Sequence, residues 1–204
     1  IIMKHLLTLW MLALCLCVSA KETCPKVIPA LQEWKGGSGK LVLPAEGSIV
    51  VAPADEAALK SVATVLAQDL KDLLDWNYTI RTGKPGKNDI YLSLMKPAGR
   101  YAGIEAPARQ GVFWGTRSLL QILYNEKGQL PKGVARDWPQ YPSRGFMLDV
   151  GRKFFTMDFL RQYVKILSFY KLNEFQIHLN DNGFVQFFDN DWNKTYAAFR
   201  LESE

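Results

Sequence analysis

Two polar clusters in the last third of the chain combine residue types that grip hydroxyls or anions and move protons. They are Asp149-Val150-Gly151-Arg152-Lys153 and His178-Leu179-Asn180-Asp181-Asn182-Gly183. An arginine offers five donors in one rigid plane, which suits a pair of vicinal hydroxyls or an anion. His178 and Asp181 read as a proton-relay pair or as two metal ligands. Plainer readings stand beside these. Arg152 also suits an ion pair with Asp149, and His178, which alternates with Gln176, suits a hydrogen bond in a core. Asn180-Asp181-Asn182-Gly183 is good turn chemistry, because Asn, Asp and Gly tolerate left-handed backbone.

Each cluster follows an apolar run. Residues 145–150 read as a strand buried on both faces of a parallel sheet. Residues 157–170 follow as a helix, with Thr156 as N-cap and Asp158 in the first turn. Its expected buried face is Phe159, Leu160, Tyr163, Val164 and Leu167. Residues 173–179 return to strand. Two apolar strands joined by a helix within about 36 residues make a βαβ unit. In such folds ligands lie at the carboxyl ends of the strands, where both clusters fall. An aromatic stretch follows (Phe184, Phe187, Phe188, Trp192, Tyr196 and Phe199), suited to core packing or to stacking on a sugar.

Upstream, residues 40–43 and 48–52 read as short strands. From Asp55 the period changes: Leu59, Val62, Ala63, Leu66, Leu70, Leu73 and Leu74 recur at three- and four-residue steps, as on an amphipathic helix. Residues 76–81 and 89–94 are again strand-like, separated by the turn Gly83-Lys84-Pro85-Gly86-Lys87. A second helix is expected over residues 111–124, with Phe113, Leu119, Leu120, Ile122 and Leu123 as core candidates and Gly128 and Pro131 ending it. The expected organisation is thus α/β: a leader over 1–20, a small α+β domain over 21–140, and a βαβ segment over 141–204.

Composition sets the class. The 204 residues are 48% hydrophobic and 22% charged, which excludes a disordered tail, a collagen-like repeat and a disulfide scaffold. The net charge of +5 is scattered along the chain, as on a solvated surface, and no nucleic-acid partner is expected. Lys4, the apolar run over residues 6–18 and Val18-Ser19-Ala20 read as a cleaved secretory signal, too short to span a bilayer. The expected mature chain starts at Lys21 and is exported, to the periplasm or the exterior of a bacterium, with no transmembrane segment. Cys15 and Cys17 leave with the leader, so Cys24 has no intrachain partner. With one His and one Cys in the mature chain and no metal-ligand spacing, no metal is expected. No glycine-rich phosphate loop opens a helix, so no nucleotide and no other cofactor is expected either.

The order of these blocks resembles one family. Arg-Gly-Phe-Met-Leu-Asp-Val-Gly-Arg-Lys-Phe-Phe from Arg144 resembles the first barrel strand of family 20 glycoside hydrolases, the β-N-acetylhexosaminidases. Tyr-Lys-Leu-Asn-Glu-Phe-Gln-Ile-His-Leu-Asn-Asp-Asn-Gly-Phe from Tyr170 is similar to their second strand. Gly-Val-Phe-Trp-Gly-Thr-Arg-Ser-Leu-Leu-Gln-Ile-Leu from Gly111, followed by Asp-Trp-Pro at Asp137, is similar to the helix and exit of their N-terminal domain. The resemblance covers about residues 26 to 190. It implies a small α+β domain ahead of a (β/α)8 barrel, and exo-removal of terminal N-acetylhexosamine from a glycan. It also implies substrate assistance, in which the sugar's own acetamido oxygen attacks C1 while a carboxylic acid protonates the leaving oxygen. On this resemblance Arg152 grips the C3 and C4 hydroxyls of the terminal sugar. Asp181 belongs to the relay that holds the general acid, with His178 beside it.

The departures are specific. The family's catalytic Asp-Glu pair sits in a His-x-Gly-Gly-Asp-Glu context that this sequence lacks. The adjacent pair here, Asp55-Glu56, falls at the start of a helix, where N-terminal capping accounts for it. Lys153 stands where the family usually has His, and Asn182 where many members have a second Asp. The stretch over residues 95–103 is short for the hairpin the family places there. From Arg144 onward there are far fewer residues than the ~250 of a (β/α)8 barrel. The chain therefore reads as the amino-terminal fragment of a hexosaminidase carrying the first part of a truncated barrel, inactive alone. The competing reading is a secreted, non-catalytic carbohydrate-binding or assembly module. Oligomeric state is not legible.

Overall fold

The computed structural model describes residues 22–94, 102–179, 185–191 and 193–194. The leader, Asp181 and most of the segment over residues 95–103 lie outside them. The chain divides into two compact units, one reaching Trp138 and the other starting at Pro139.

In the first unit, β1 (Glu33–Val42) and β2 (Glu46–Val51) precede α1 (Glu56–Leu74). Then come β3 (Asn77–Thr82), β4 (Ile90–Ser93), β5 (Ala102–Glu105), α2 (Arg109–Asn125) and β6 (Gln129–Arg136). Four strands form a parallel sheet in the order β3-β2-β4-β5. The inner strand β2 ends in Ile49-Val50-Val51, all fully buried, because the crossover connections of a parallel sheet pack over its faces and exclude water from them. Leu59, Val62, Ala63, Leu66 and Leu70 of α1 complete that core. Leu73, expected on the same stripe, is partly exposed.

β1 and β6 form a separate antiparallel ribbon, with Glu33 opposite Arg136 and Val42 opposite Gln129. The sequence predicts only the last residues of β1 and places the end of a helix near Pro131. Three glycines in β1 and a proline in β6 depress strand propensity, and pairing between distant segments overrides it. A two-stranded ribbon is all edge, which is where proline is tolerated. Gly133 is required there: a Cβ at that position would overlap the Trp34 ring.

α2 corrects the expected core. Leu119, Leu120, Ile122 and Leu123 are buried as expected, but Phe113 is only half-buried, and Val112, Thr116, Arg117, Ser118 and Gln121 join the buried face. Gln121 donates from Nε2 to the Ile28 carbonyl (2.8 Å) and accepts the Ile28 N–H at Oε1 (2.7 Å). A buried primary amide thereby pins the segment ahead of β1, since it mimics a backbone partner.

The second unit holds β7 (Gly145–Asp149), α3 (Met157–Phe169) and β8 (Glu174–His178). The strands pair in parallel from Gly145 opposite Glu174 to Asp149 opposite His178. This is the βαβ unit the apolar spacing predicts. The Thr156 hydroxyl accepts the Phe159 N–H at 3.2 Å, the expected cap. Tyr163 is the hub of the packing, with ring centroids 5.4 Å from Phe146, 5.6 Å from Phe159 and 5.7 Å from Phe175. Arg144 fixes the start of β7: its N–H bonds Asn173 Oδ1 (2.8 Å) and its Nε the Lys171 carbonyl (2.8 Å).

Burial in this unit departs from expectation. Phe146 is 41% and Met147 50% exposed. Of the five residues expected to form the buried face of α3, Leu167 alone is buried. Among the described residues two strands and one helix supply too few neighbours to enclose these side chains. Of the aromatic stretch, Phe188 is half-buried in a 3-10 turn over Val185–Phe188. Phe184, Trp192, Tyr196 and Phe199 lie outside the described residues.

Candidate functional site

Parallel pairing brings the ends of β7 and β8 level, so Asp149 and His178 are ladder neighbours at one rim. The chain then leaves β7 through Val150-Gly151-Arg152. Val150 N–H and Gly151 N–H both bond the His178 carbonyl, each at 3.0 Å. The exit loop of one strand is thereby stapled to the end of the next.

Arg152 sits on that loop. Its backbone N–H donates to Asp149 Oδ1 at 3.0 Å, and its Nε meets Asp149 Oδ2 at 2.5 Å. The bond from the Arg152 N–H holds the Asp149 carboxyl below the usual carboxylate range. The guanidinium adds to this, His178 adds a smaller pull, and partial burial works against it. His178 is half-buried.

Arg152 and His178 therefore share the rim, and Asp149 joins them. In the sequence Asp149 stands out only as the acid that closes an apolar run and as an ion-pair partner for Arg152. That ion pair is present. Asp181, three residues beyond His178, lies outside the described residues. Among the described residues no group of three His, Cys, Asp or Glu is arranged to hold a metal, and no helix is long and apolar enough to cross a membrane. Cys24 carries an exposed free thiol.

The Asp55-Glu56 pair has a different explanation from the one its sequence position suggests. Asp55 precedes α1 without capping it. Its Oδ2 instead accepts the Leu94 N–H (2.8 Å) and the Ser93 hydroxyl (3.4 Å), tying the end of β4 to the end of β2. A carboxylate at the carboxyl ends of two parallel strands meets backbone N–H groups there before it meets its own helix.

The model of glycosyl hydrolase family 20, domain 2, matches residues 24–138, more than half of the chain. The chain belongs to glycosyl hydrolase family 20. The catalytic-domain model of the same family matches residues 141–187. A β-hexosaminidase of Akkermansia muciniphila is 34% identical over 99 residues, covering 47% of this chain and 20% of the relative. One from Porphyromonas gingivalis is 31% identical over 146 residues, covering 61% and 19%. The Streptomyces plicatus N-acetyl-β-hexosaminidase, solved with Thio-NAglucal, superimposes with a TM-score of 0.65 at 27% identity. That match covers 79% of this chain and 36% of the Streptomyces chain. The family 20 chain described here thus spans about a fifth of the length of the curated relatives it matches. Its mixed α/β architecture, with a first domain followed by a parallel βαβ segment, is that of a family 20 N-terminal domain leading into part of a barrel.

Proposed function

We propose that the protein carrying this chain is an exo-acting β-N-acetylhexosaminidase that removes terminal N-acetylhexosamine from glycans. The observation that carries this reading is the level rim of Asp149, Arg152 and His178 at the carboxyl ends of two parallel strands in a family 20 chain. That end is where ligands bind in parallel α/β folds. An arginine held there suits the adjacent C3 and C4 hydroxyls of a pyranose. Asp181, with His178 beside it, belongs to the relay that holds the general acid.

The mechanism is substrate-assisted and retaining. The acetamido oxygen is already tethered to the reacting ring, so its effective concentration at C1 is high and no enzyme nucleophile is needed. The acid that protonates the leaving oxygen has no counterpart in these 204 residues. The adjacent Asp55-Glu56 pair lies in the first unit, with Asp55 engaged by Ser93 and Leu94. The isolated chain is therefore inactive. The apolar run over residues 6–18 and the small residues before Lys21 support export, to the periplasm or exterior of a bacterial cell. Sequencing the amino terminus of the exported protein checks this, with Lys21 expected as its first residue.

Nitrophenol release from 4-nitrophenyl N-acetyl-β-glucosaminide tests the assignment. The full-length protein that carries this segment is expected to release it, with the anomeric configuration retained in the first-formed sugar. The 204-residue chain is expected to release none. Turnover by the isolated chain, or inversion by the full-length protein, overturns the mechanism.

A further inference from the structure

The loop that bears Arg152 is braced more tightly than a strand-to-helix connection requires. Asp149 takes the Arg152 backbone N–H on one carboxylate oxygen and the Arg152 Nε on the other. Asp149 itself ends β7 in register with His178, and the two intervening residues both donate to the His178 carbonyl. The main chain and the stem end of the guanidinium are thus fixed from one carboxylate that is itself fixed by the sheet.

Four rotatable bonds separate an arginine's backbone from its guanidinium, and a ligand that must order them loses affinity. A bond to Nε sets the plane of the group. The terminal nitrogens Nη1 and Nη2 then point along directions determined by the carboxylate.

We infer that Asp149 is a positioning residue for sugar recognition: it orients the Arg152 guanidinium before the sugar arrives. This rests on the reading of Arg152 as a ligand of the terminal sugar hydroxyls. Asp149 touches no substrate in this scheme and acts through Arg152.

The test compares two substrates within each variant of the full-length protein: 4-nitrophenyl N-acetyl-β-glucosaminide and its 3,4-dideoxy analogue, which lacks both hydroxyls assigned to Arg152. Wild type is expected to favour the parent by at least about 10- to 100-fold in kcat/KM, the range for one hydrogen bond to a charged group. Asp149→Asn, nearly isosteric, is expected to lose most of that preference through the parent substrate, with little change for the analogue. In an Arg152→Ala background the same substitution is expected to change neither. Equal losses on both substrates, or an Asp149→Asn effect that persists undiminished without Arg152, overturns the inference and leaves Asp149 as a brace of the fold. Each preference is a ratio within one protein, so a reduced folded fraction cancels. Should the Asn variant not accumulate, Asp149→Glu serves, since its longer stem displaces the guanidinium; an unchanged preference there overturns the inference. A wild type that releases no nitrophenol from the parent overturns the functional reading itself.

Discussion

Asp69 on α1 and Arg117 on α2 form an ion pair that joins the two helices of the first unit, with Nη1 and Oδ2 2.5 Å apart. The Arg117 side chain is only 3% exposed and that of Asp69 16%. Burial lowers the Arg117 pKa from its usual value while Asp69 pushes it back up. The guanidinium also bonds the Thr116 hydroxyl through Nε (3.1 Å) and lies 4.6 Å from the centre of the Phe113 ring. Asp69→Asn leaves this charge buried without its counter-ion and is expected to cost about 3–5 kcal/mol. The double variant Asp69→Leu with Arg117→Met is expected to recover most of that loss. Denaturant unfolding of the three proteins measures both effects.

Tyr78 makes alkaline stability readable. Its hydroxyl donates to the Pro44 carbonyl at 2.7 Å, and burial, reinforced by the nearby charge of Asp89, pushes its pKa from 10.0 up to about 12. The folded state thus keeps a proton that the unfolded chain releases near pH 10. The resulting stabilisation is complete below pH 10 and is lost as pH rises toward about 12. Tyr78→Phe is expected to remove this slope and to cost about 1 kcal/mol at neutral pH. Unfolding midpoints across this pH range, with phenolate absorbance as a second readout, check it.

At the acid end Asp149 behaves in the opposite sense. Its folded-state pKa lies below the usual 3.8, so its contribution is present above that value and disappears as pH falls through the lower one. Asp149→Asn is expected to flatten that part of the acid limb, measured as the pH dependence of the thermal midpoint.

Thr156 caps α3 through its hydroxyl. Thr156→Ala is expected to cost about 1 kcal/mol and Thr156→Ser far less, because serine keeps the accepting oxygen. Equilibrium unfolding distinguishes the two.

These residues also mark how far the sequence could be read. The stripe from Leu59 to Leu70 and the branched run Ile49-Val50-Val51 announce α1 and β2, because periodicity and propensity agree there. Thr156 is likewise visible as a cap. Most of β1, and all of β5 and β6, are not, since glycine, proline and short length hide strands that exist only through distant partners. Arg and Gln are types mostly found at the surface, and only the tertiary contacts with Asp69 and Ile28 explain the burial of Arg117 and Gln121. Asp55 reads as a helix cap because sequence shows the neighbour after it and not the strand end beside it. At the candidate site, the positions of Arg152 and His178 follow from the βαβ spacing. The double grip of Asp149 on Arg152 depends on the path of a three-residue loop that no periodicity encodes.

The β1–β6 ribbon has a consequence for synthesis. Glu33 faces Arg136, so the first and last strands of the first unit are each other's partners, 103 positions apart. On a ribosome delivering residues in order, β2 to β5 can assemble around α1 while β1 still has nothing to pair with. The amino-terminal strand therefore waits, and the unit is clasped shut only when its final strand has left the exit tunnel.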